Sequence, residues 1–255
     1  MARILVAGDW HGNIPWMETA LRHAAGAGCT ALIQVGDLAV LWPAGNGGDK
    51  FTRGLQRRLD EHRITMVSVD GNHDVHPLLR SLPLNAEGFG VLSHRLLYAP
   101  RGHRWEMGGV RSGALGGAYS IDRVRRKLGR AWWEEEEIAE ADVERLGSGP
   151  LDVLITHEVP AGIDVVSPFP RRLLEALEPD SYTSRILVRD AVRNTRPRLV
   201  LSGHRHQRLT AVMPGTETRV HVLHKESFTG NLVSLDLETL AVEDVRVVRA
   251  SERRG

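Results

Sequence analysis

The chain has a single cysteine, Cys29, in 255 residues. A lone thiol cannot close an internal disulfide, and it excludes a thiolate-rich zinc or iron–sulfur site. Long apolar runs are missing too: no stretch approaches the roughly 18 to 20 residues that a membrane span needs. Met1-Ala2-Arg3 passes straight into Ile4-Leu5-Val6-Ala7, which is too short for the core of a signal peptide. The expectation is therefore a cytoplasmic protein without a membrane segment. The chain also lacks an excess of either charge. A formal net charge of +1 removes the global electrostatic reason to expect nucleic acid or an anionic membrane, although it leaves room for a local basic groove. Internal repeats, low-complexity tracts and linkers are absent, so one domain is expected over residues 1–250, followed by a charged tail, Ser251 to Gly255, that frays.

What is present is ordinary in amount: 42% hydrophobic and 25% charged residues describe a globular protein. A chain of this length buries enough apolar surface to fold without staples. Ile4 to Ala7 reads as a buried strand that ends at Gly8-Asp9. Pro15 suits a first helical turn, and Ile14, Met17, Leu21 and Ala24 recur at helical spacing until Gly26 and Gly28 stop the helix. Leu32 to Val35 reads as a second strand, again ending in Gly-Asp. A helix through Phe51 to Glu61 follows, then a third strand over Thr65 to Val69. This alternation predicts parallel strands joined by right-handed crossovers. Loops after the carboxyl ends of such strands share one edge, where ligands bind.

Further on, Gly88 to Gly117 reads as short strands and turns, with Met107-Gly108-Gly109-Val110 a hairpin. Ser120 to Leu146 reads as helical and highly charged, carrying Arg123, Arg125, Arg126, Lys127 and Arg130 and then Glu134 to Glu137. Leu151 to Ile155 and Arg198 to Ser202 are two more strands. Leu209 to Val248 alternates in strand fashion, with turns at Pro214-Gly215 and Thr229-Gly230-Asn231.

Five segments each sit at a strand end: Asp9-Trp10-His11-Gly12-Asn13, Gly36-Asp37, Gly71-Asn72-His73-Asp74, His157, and Gly203-His204-Arg205-His206. Together they offer carboxylates, imidazoles and one amide, donors suited to manganese, iron, zinc, cobalt or nickel. Spacing of two residues in Asp9-x-His11 and His204-x-His206 lets both side chains of an extended segment reach one site.

The ordered series from Asp9 to His206 resembles that of the calcineurin-like metallophosphoesterases. The resemblance implies an α/β fold, a four-layer α/β/β/α sandwich of two mixed sheets flanked by helices with a dinuclear metal site at the strand ends. It implies two divalent transition-metal ions, manganese first among them. Asp9, His11 and His206 would hold one ion, Asn72, His157 and His204 the other, and Asp37 would bridge them. His73 would be the histidine close to the leaving-group oxygen, and hydrolysis would proceed by direct in-line attack of a metal-held hydroxide on a phosphate ester. Two ions of this kind lower the pKa of a shared water and clamp phosphoryl oxygens.

One position departs from the pattern. Many members, protein Ser/Thr phosphatases among them, continue Gly-Asp-x-x-Asp, whereas here that position is Val40. A valine cannot orient His73, so Asp74, Asp9 or a backbone carbonyl is expected to do so. Val40, with the absence of an arginine immediately before Gly71, favours a phosphodiester or small phosphomonoester substrate, such as a nucleotide, a cyclic nucleotide or a nucleic-acid end. A protein Ser/Thr phosphatase is the alternative. A non-catalytic metal-binding module is a third reading, disfavoured because His73 and every ligand are retained.

Arg205, between two expected ligands, is the candidate for a substrate-phosphate contact. The basic run Arg123 to Arg130 reads as a solvated helix with internal charge pairing, in an insertion over residues 119–147 that could cap the site. Tyr119, Trp132 and Trp133 read as packing residues rather than a stacking platform. His23, His62, His76, His94, His103, His221 and His224 match no motif and read as packed or solvated.

Overall fold

The first strand, β1 (Arg3–Ala7), shows how the layers arise. Ile4 and Val6 point to one side and Leu5 and Ala7 to the other, and all four are buried, so this strand is covered on both faces. A computed structural model of the chain describes residues 3–42, 48–166 and 171–247; the charged tail lies outside them. After β1 come α1 (Ile14–Gly26), β2 (Ala31–Gln34), α2 (Gly48–His62), β3 (Thr65–Ser68) and α3 (His76–Arg80). Next are β4 (Gly90–Ser93), β5 (Leu96–Tyr98), β6 (Arg104–Met107), β7 (Val110–Leu115) and α4 (Glu140–Leu146). The chain continues with β8 (Val153–Thr156), α5 (Arg171–Thr195), β9 (Leu199–Ser202), β10 (Leu209–Val212) and β11 (Arg219–Val222), and ends on β12 (Leu232–Asp236) and β13 (Val242–Asp244).

Among the described residues the strands form a seven-stranded sheet, β13-β12-β1-β2-β3-β5-β4, and a six-stranded one, β10-β11-β9-β8-β7-β6. β1, β2, β3 and β5 run parallel, as do β7, β8, β9 and β11, while β12, β13, β4, β10 and β6 pair antiparallel. Ile4, Val6, Ile33, Val35 and Val67 of the first sheet meet Val153, Ile155, Leu199 and Leu201 of the second. Leu5, Leu32 and Met66, on the opposite face, pack under Met17 and Leu21 of α1 and Leu55 and Leu59 of α2. Leu154, Val200 and Val220 are covered by Val143 of α4 and Val188 and Val192 of α5. Two mixed sheets lie face to face between helical layers, as the sequence leads one to expect. Each fully buried aliphatic side chain in these layers contributes about 1.5–3 kcal/mol.

Helix α1 starts where Asn13 accepts the Trp16 amide at 3.0 Å, with Pro15 in its first turn. The β6–β7 hairpin turns at Gly108 and Gly109, both at positive φ (58° and 80°), which side chains disfavour. Among the described residues no helix is long and apolar enough to cross a membrane.

The stretch Ser120 to Leu146, read as helical, is not one. It forms single 3-10 turns at Arg123–Arg125 and Glu134–Glu136, and only Glu140–Leu146 is α-helix. A buried guanidinium explains the difference. Arg101 donates to the carbonyls of Glu135, Glu136 and Glu137 at 2.9, 3.0 and 2.6 Å, and the Ala118 amide donates to the Glu136 carbonyl at 3.0 Å. Carbonyls held in this way are taken from a helical ladder. Charge pairs at helical spacing, Asp122 with Arg126 and Asp142 with Arg145, both at 3.0 Å, are joined by others that reach across the stretch, with Arg123 2.7 Å from Glu137 and Arg126 3.3 Å from Glu136. Tyr119 and Trp133 are buried, and Trp133 packs against Trp42 and His76, in keeping with the packing role expected of them.

Candidate metal centre

Because β1, β2 and β3 are parallel, as are β8 and β9, the loops that follow them meet at one edge. Asp9 and His11 follow β1, Asp37 follows β2, Asn72 and His73 follow β3, His157 follows β8, and His204 and His206 follow β9. The chain turns sharply here. His11, Asp37, His204 and His206 have φ of 44°, 57°, 65° and 48°, left-handed values uncommon for residues with a Cβ and typical of functional loops. Glycines permit close approach at two points. A Cβ on Gly71 would overlap the Asp37 carboxylate, and one on Gly203 would overlap Asp9 Oδ1.

The side chains converge in two groups. The donor atoms of Asp9, His11 and His206 lie within 4.8 Å of one another, and so do those of Asp9, Asp37 and His157. His206 Nε2 is 3.1 Å from Asp9 Oδ2, and His11 Nε2 is 3.4 Å from Asp37 Oδ2. His157 Nε2 lies 3.4 Å from Asp37 Oδ1 and 3.1 Å from Asn72 Oδ1. Its Nδ1 donates to the Val35 carbonyl at 2.8 Å, which turns the Nε2 lone pair toward the carboxylates. The ring of His204 is 5.1 Å from that of His157, and its Nε2 is 3.5 Å from Glu158 Oε2; its donor atoms belong to neither of the two converging groups.

Electrostatics agree with a cation site. Asp9, Asp37 and His157 are buried, and Asp9 Oδ2 is buried without a hydrogen-bond partner, a costly state for a carboxylate unless something positive satisfies it. Burial alone would push His11 and His157 down. Hydrogen bonds from His11 to Asp37 and Glu226 outweigh it and raise that imidazole to about 11. The charge of Asp37 and a hydrogen bond to it do the same for His157, to about 10. Burial disfavours the Asp37 anion, yet His157 and His73 hold it well below the usual carboxylate range. His204 is pushed well down by burial, Arg205 and His157, so its imidazole is neutral. Protons thus stand where buried carboxylates need a counter-charge, and a divalent cation would displace them. The donor set fits the metals named for it.

His73 stands beside the groups, its ring 5.9 Å from that of His11. Its amide donates to Asp37 Oδ1 at 2.7 Å, and its carbonyl accepts Trp42 Nε1 at 3.0 Å. Among the described residues its imidazole makes no hydrogen bond. Asp74 does not reach it, because that carboxylate accepts the amides of Asp37, Ala39 and Gly71. Val40 is buried among Trp10, Trp16 and Phe51. Arg205 grips Glu158 through Nε and Nη2 at 3.0 and 2.7 Å, and Nη1 makes no hydrogen bond among the described residues.

Several supports carry no motif. Glu226 Oε2 lies 2.9 Å from His11 Nδ1. Asn231 donates to the Asp9 carbonyl at 3.1 Å and accepts Trp16 Nε1 at 2.6 Å. Gln34, buried in β2, donates to the Gly8 carbonyl at 3.3 Å and accepts the Gly36 amide at 3.1 Å. A buried glutamine in a strand is the one sequence signal that could have drawn attention to such a brace.

The family model described as calcineurin-like phosphoesterase matches residues 2–208. TT1561 of Thermus thermophilus is similar in structure, with a TM-score of 0.62 at 17% identity, over 97% of this chain and 99% of that one. A dimetal phosphatase from Danio rerio is similar with a TM-score of 0.57 at 10% identity, over 97% of this chain and 96% of that one. No protein of curated function matches the sequence.

Proposed function

The chain belongs to the calcineurin-like phosphoesterase family, and on that premise we propose that it hydrolyses a phosphodiester or a small phosphomonoester at a two-cation centre. The observation that carries this reading is the placement of Asp37. Its Oδ2 faces His11 and its Oδ1 faces His157, each at 3.4 Å, so this carboxylate lies against one histidine of each group, while Asp9 is common to both. Asp9, His11 and His206 would hold one ion, and Asn72, His157 and His204 the other, with Asp37 between. Two divalent ions supply Lewis acidity to the phosphoryl oxygens and bring the pKa of a water toward neutrality. The oxygen and nitrogen donors suit manganese, iron, zinc, cobalt or nickel, and the family resemblance puts manganese first among them.

His73 is the residue assigned to protonate the leaving oxygen. Burial lowers its pKa, the Asp37 charge opposes that, and Arg126 adds to the lowering; an anionic phosphate ester bound beside it would favour the protonated form that a general acid needs. With Asp74 occupied elsewhere, its backbone carries the orientation, the amide on Asp37 and the carbonyl on Trp42. Arg205, anchored on Glu158, would offer Nη1 to a substrate phosphoryl oxygen. Nucleotides, cyclic nucleotides and nucleic-acid ends are the candidate substrates. The burial of Val40 leaves no carboxylate at the position that orients the histidine of protein phosphatases, which argues against that alternative.

The test compares a chromogenic phosphodiester with its monoester, using metal-stripped protein with and without Mn²⁺. Turnover that returns with the metal supports the proposal, and the ratio of the two rates assigns the ester class. No turnover of either, with metal stoichiometrically bound, would favour a binding module.

A further inference from the structure

A histidine that binds a cation through one ring nitrogen needs its other nitrogen held, because its proton can sit on either. At His11 the holder is Glu226, whose Oε2 lies 2.9 Å from Nδ1. Glutamate carboxyls are ionised at pH 7.5, and an ionised carboxylate only accepts. The proton of this hydrogen bond therefore sits on Nδ1. Nε2 is the nitrogen left to give a lone pair, and it faces the centre, 3.4 Å from Asp37 Oδ2. His157 is held by the same device, its Nδ1 donating to the Val35 carbonyl at 2.8 Å.

Glu226 comes from the loop between β11 and β12, and that loop is tied to the start of the same motif. The Glu226 amide donates to the Asp9 carbonyl at 2.8 Å. Asn231, at the end of the loop, donates through Nδ2 to that carbonyl at 3.1 Å and to the His224 carbonyl at 2.7 Å, which ties the two ends of the loop together. One residue thus touches two of the residues assigned to the first ion, Asp9 through its backbone and His11 through its carboxylate. The contact is sheltered, with side-chain exposures of 26% for His11 and 18% for Glu226, and among the described residues Glu226 is the one hydrogen-bond partner of Nδ1.

We propose that Glu226 is a positioning residue for the metal centre: by taking the Nδ1 proton of His11 it fixes the ring and its tautomer, so that Nε2 is presented to the first cation. The proposal rests on the reading of His11 as a ligand under the proposed function. It extends the centre into the loop after β11, past residue 208, where the family match ends.

Two measurements on the full chain test it. The first is titration calorimetry of Mn²⁺ into metal-stripped protein at pH 7.5, on wild type, Glu226→Ala, Glu226→Gln and Glu226→Asp. Wild type should take two ions. Glu226→Ala should weaken one of them about 10–100-fold, the range for losing a ligand's outer partner, and leave the other unchanged. Glu226→Gln keeps an acceptor oxygen at the same reach and should hold most of the affinity. Glu226→Asp keeps the charge but falls short of Nδ1, and should behave as Glu226→Ala does. The reverse order, with Glu226→Asp retaining what Glu226→Gln loses, would overturn the proposal, because charge would then act without contact. Wild-type affinity in Glu226→Ala, or equal weakening of both ions, would overturn it too while leaving the metal centre standing. Fewer than two ions on wild type would remove the two-cation centre itself, and the role of Glu226 with it. The second measurement is nitrogen-15 NMR of histidine-labelled protein loaded with Zn²⁺, with the His11 signal identified by its loss in His11→Gln. The proton should reside on Nδ1 in wild type and Glu226→Gln, and exchange rapidly with water in Glu226→Ala. A deprotonated Nδ1 in wild type would refute the assignment.

Discussion

The Asp74 carboxylate accepts the backbone amide of Asp37 at 3.0 Å, which hangs the loop after β2 from the loop after β3. It also accepts the amides of Ala39 at 2.7 Å and Gly71 at 2.8 Å. Asp74→Asn turns one acceptor oxygen into a donor that faces buried N–H groups. The expected cost is about 1–3 kcal/mol, read from urea unfolding of the metal-free protein, with Mn²⁺ affinity reduced alongside. An unchanged unfolding midpoint would contradict the clamp.

His73→Asn should keep the metal stoichiometry and lower kcat by about 10²–10⁴ for an alkyl ester, the usual worth of a general acid. The loss should shrink for a p-nitrophenyl ester, whose leaving oxygen needs no proton. Equal losses on both esters would count against proton donation.

Arg205→Ala strands Glu158, which is 0% exposed. Removing one partner of such a pair typically costs about 3–5 kcal/mol, measurable by thermal or urea unfolding. Adding Glu158→Gln should recover much of that stability. If Nη1 grips the substrate, KM stays raised in the recovered double variant; a return of KM to the wild-type value would remove Arg205 from the substrate contact.

His221 predicts a pH dependence of stability. Its Nδ1 lies 3.2 Å from Arg208 Nη2 and 3.3 Å from Thr210 Oγ1, and a guanidinium only donates, so Nδ1 keeps its lone pair. Burial, then Arg208 and Arg219, lower the imidazole from 6.5 to about 4. With the folded pKa below the unfolded one, the unfolded chain takes up the proton first on acidification. Stability is therefore full above about pH 6.5 and is lost as the pH falls through that value to about 4, by at most about 3 kcal/mol. Comparing wild type with His221→Gln by urea unfolding at pH 7.5 and pH 5 isolates this group. The variant should lose less stability between the two, and parallel losses would refute the assignment.

The residues at the strand ends were legible because two local rules coincide. Short apolar runs closed by Gly-Asp announce buried strands, and a cation site accepts few residue types, so Asp9, Asp37 and the histidines stand out in their spacing. The segment from Ser120 to Leu146 was misread for the complementary reason. Its charges suggested a solvated helix, but Arg101 draws the carbonyls of Glu135 to Glu137, and an arginine in a distant turn leaves no trace in the local pattern.

By itself the sequence determined the alternation of strands and helices that sets the central strands parallel, the order of the strands along the chain and the residues at their ends, and its family resemblance supplied the two mixed sheets. Hydrophobic alternation and turn chemistry act over a few neighbouring residues and can be read there. Only the tertiary structure decided what braces those residues. Glu226 reaches His11 across 215 positions, Asn231 reaches Asp9 across 222, and Ser120 reaches Asn72 across 48. Any buried donor or acceptor of suitable reach could fill such a place, so no residue type or spacing announces it until packing brings the groups together and excludes water.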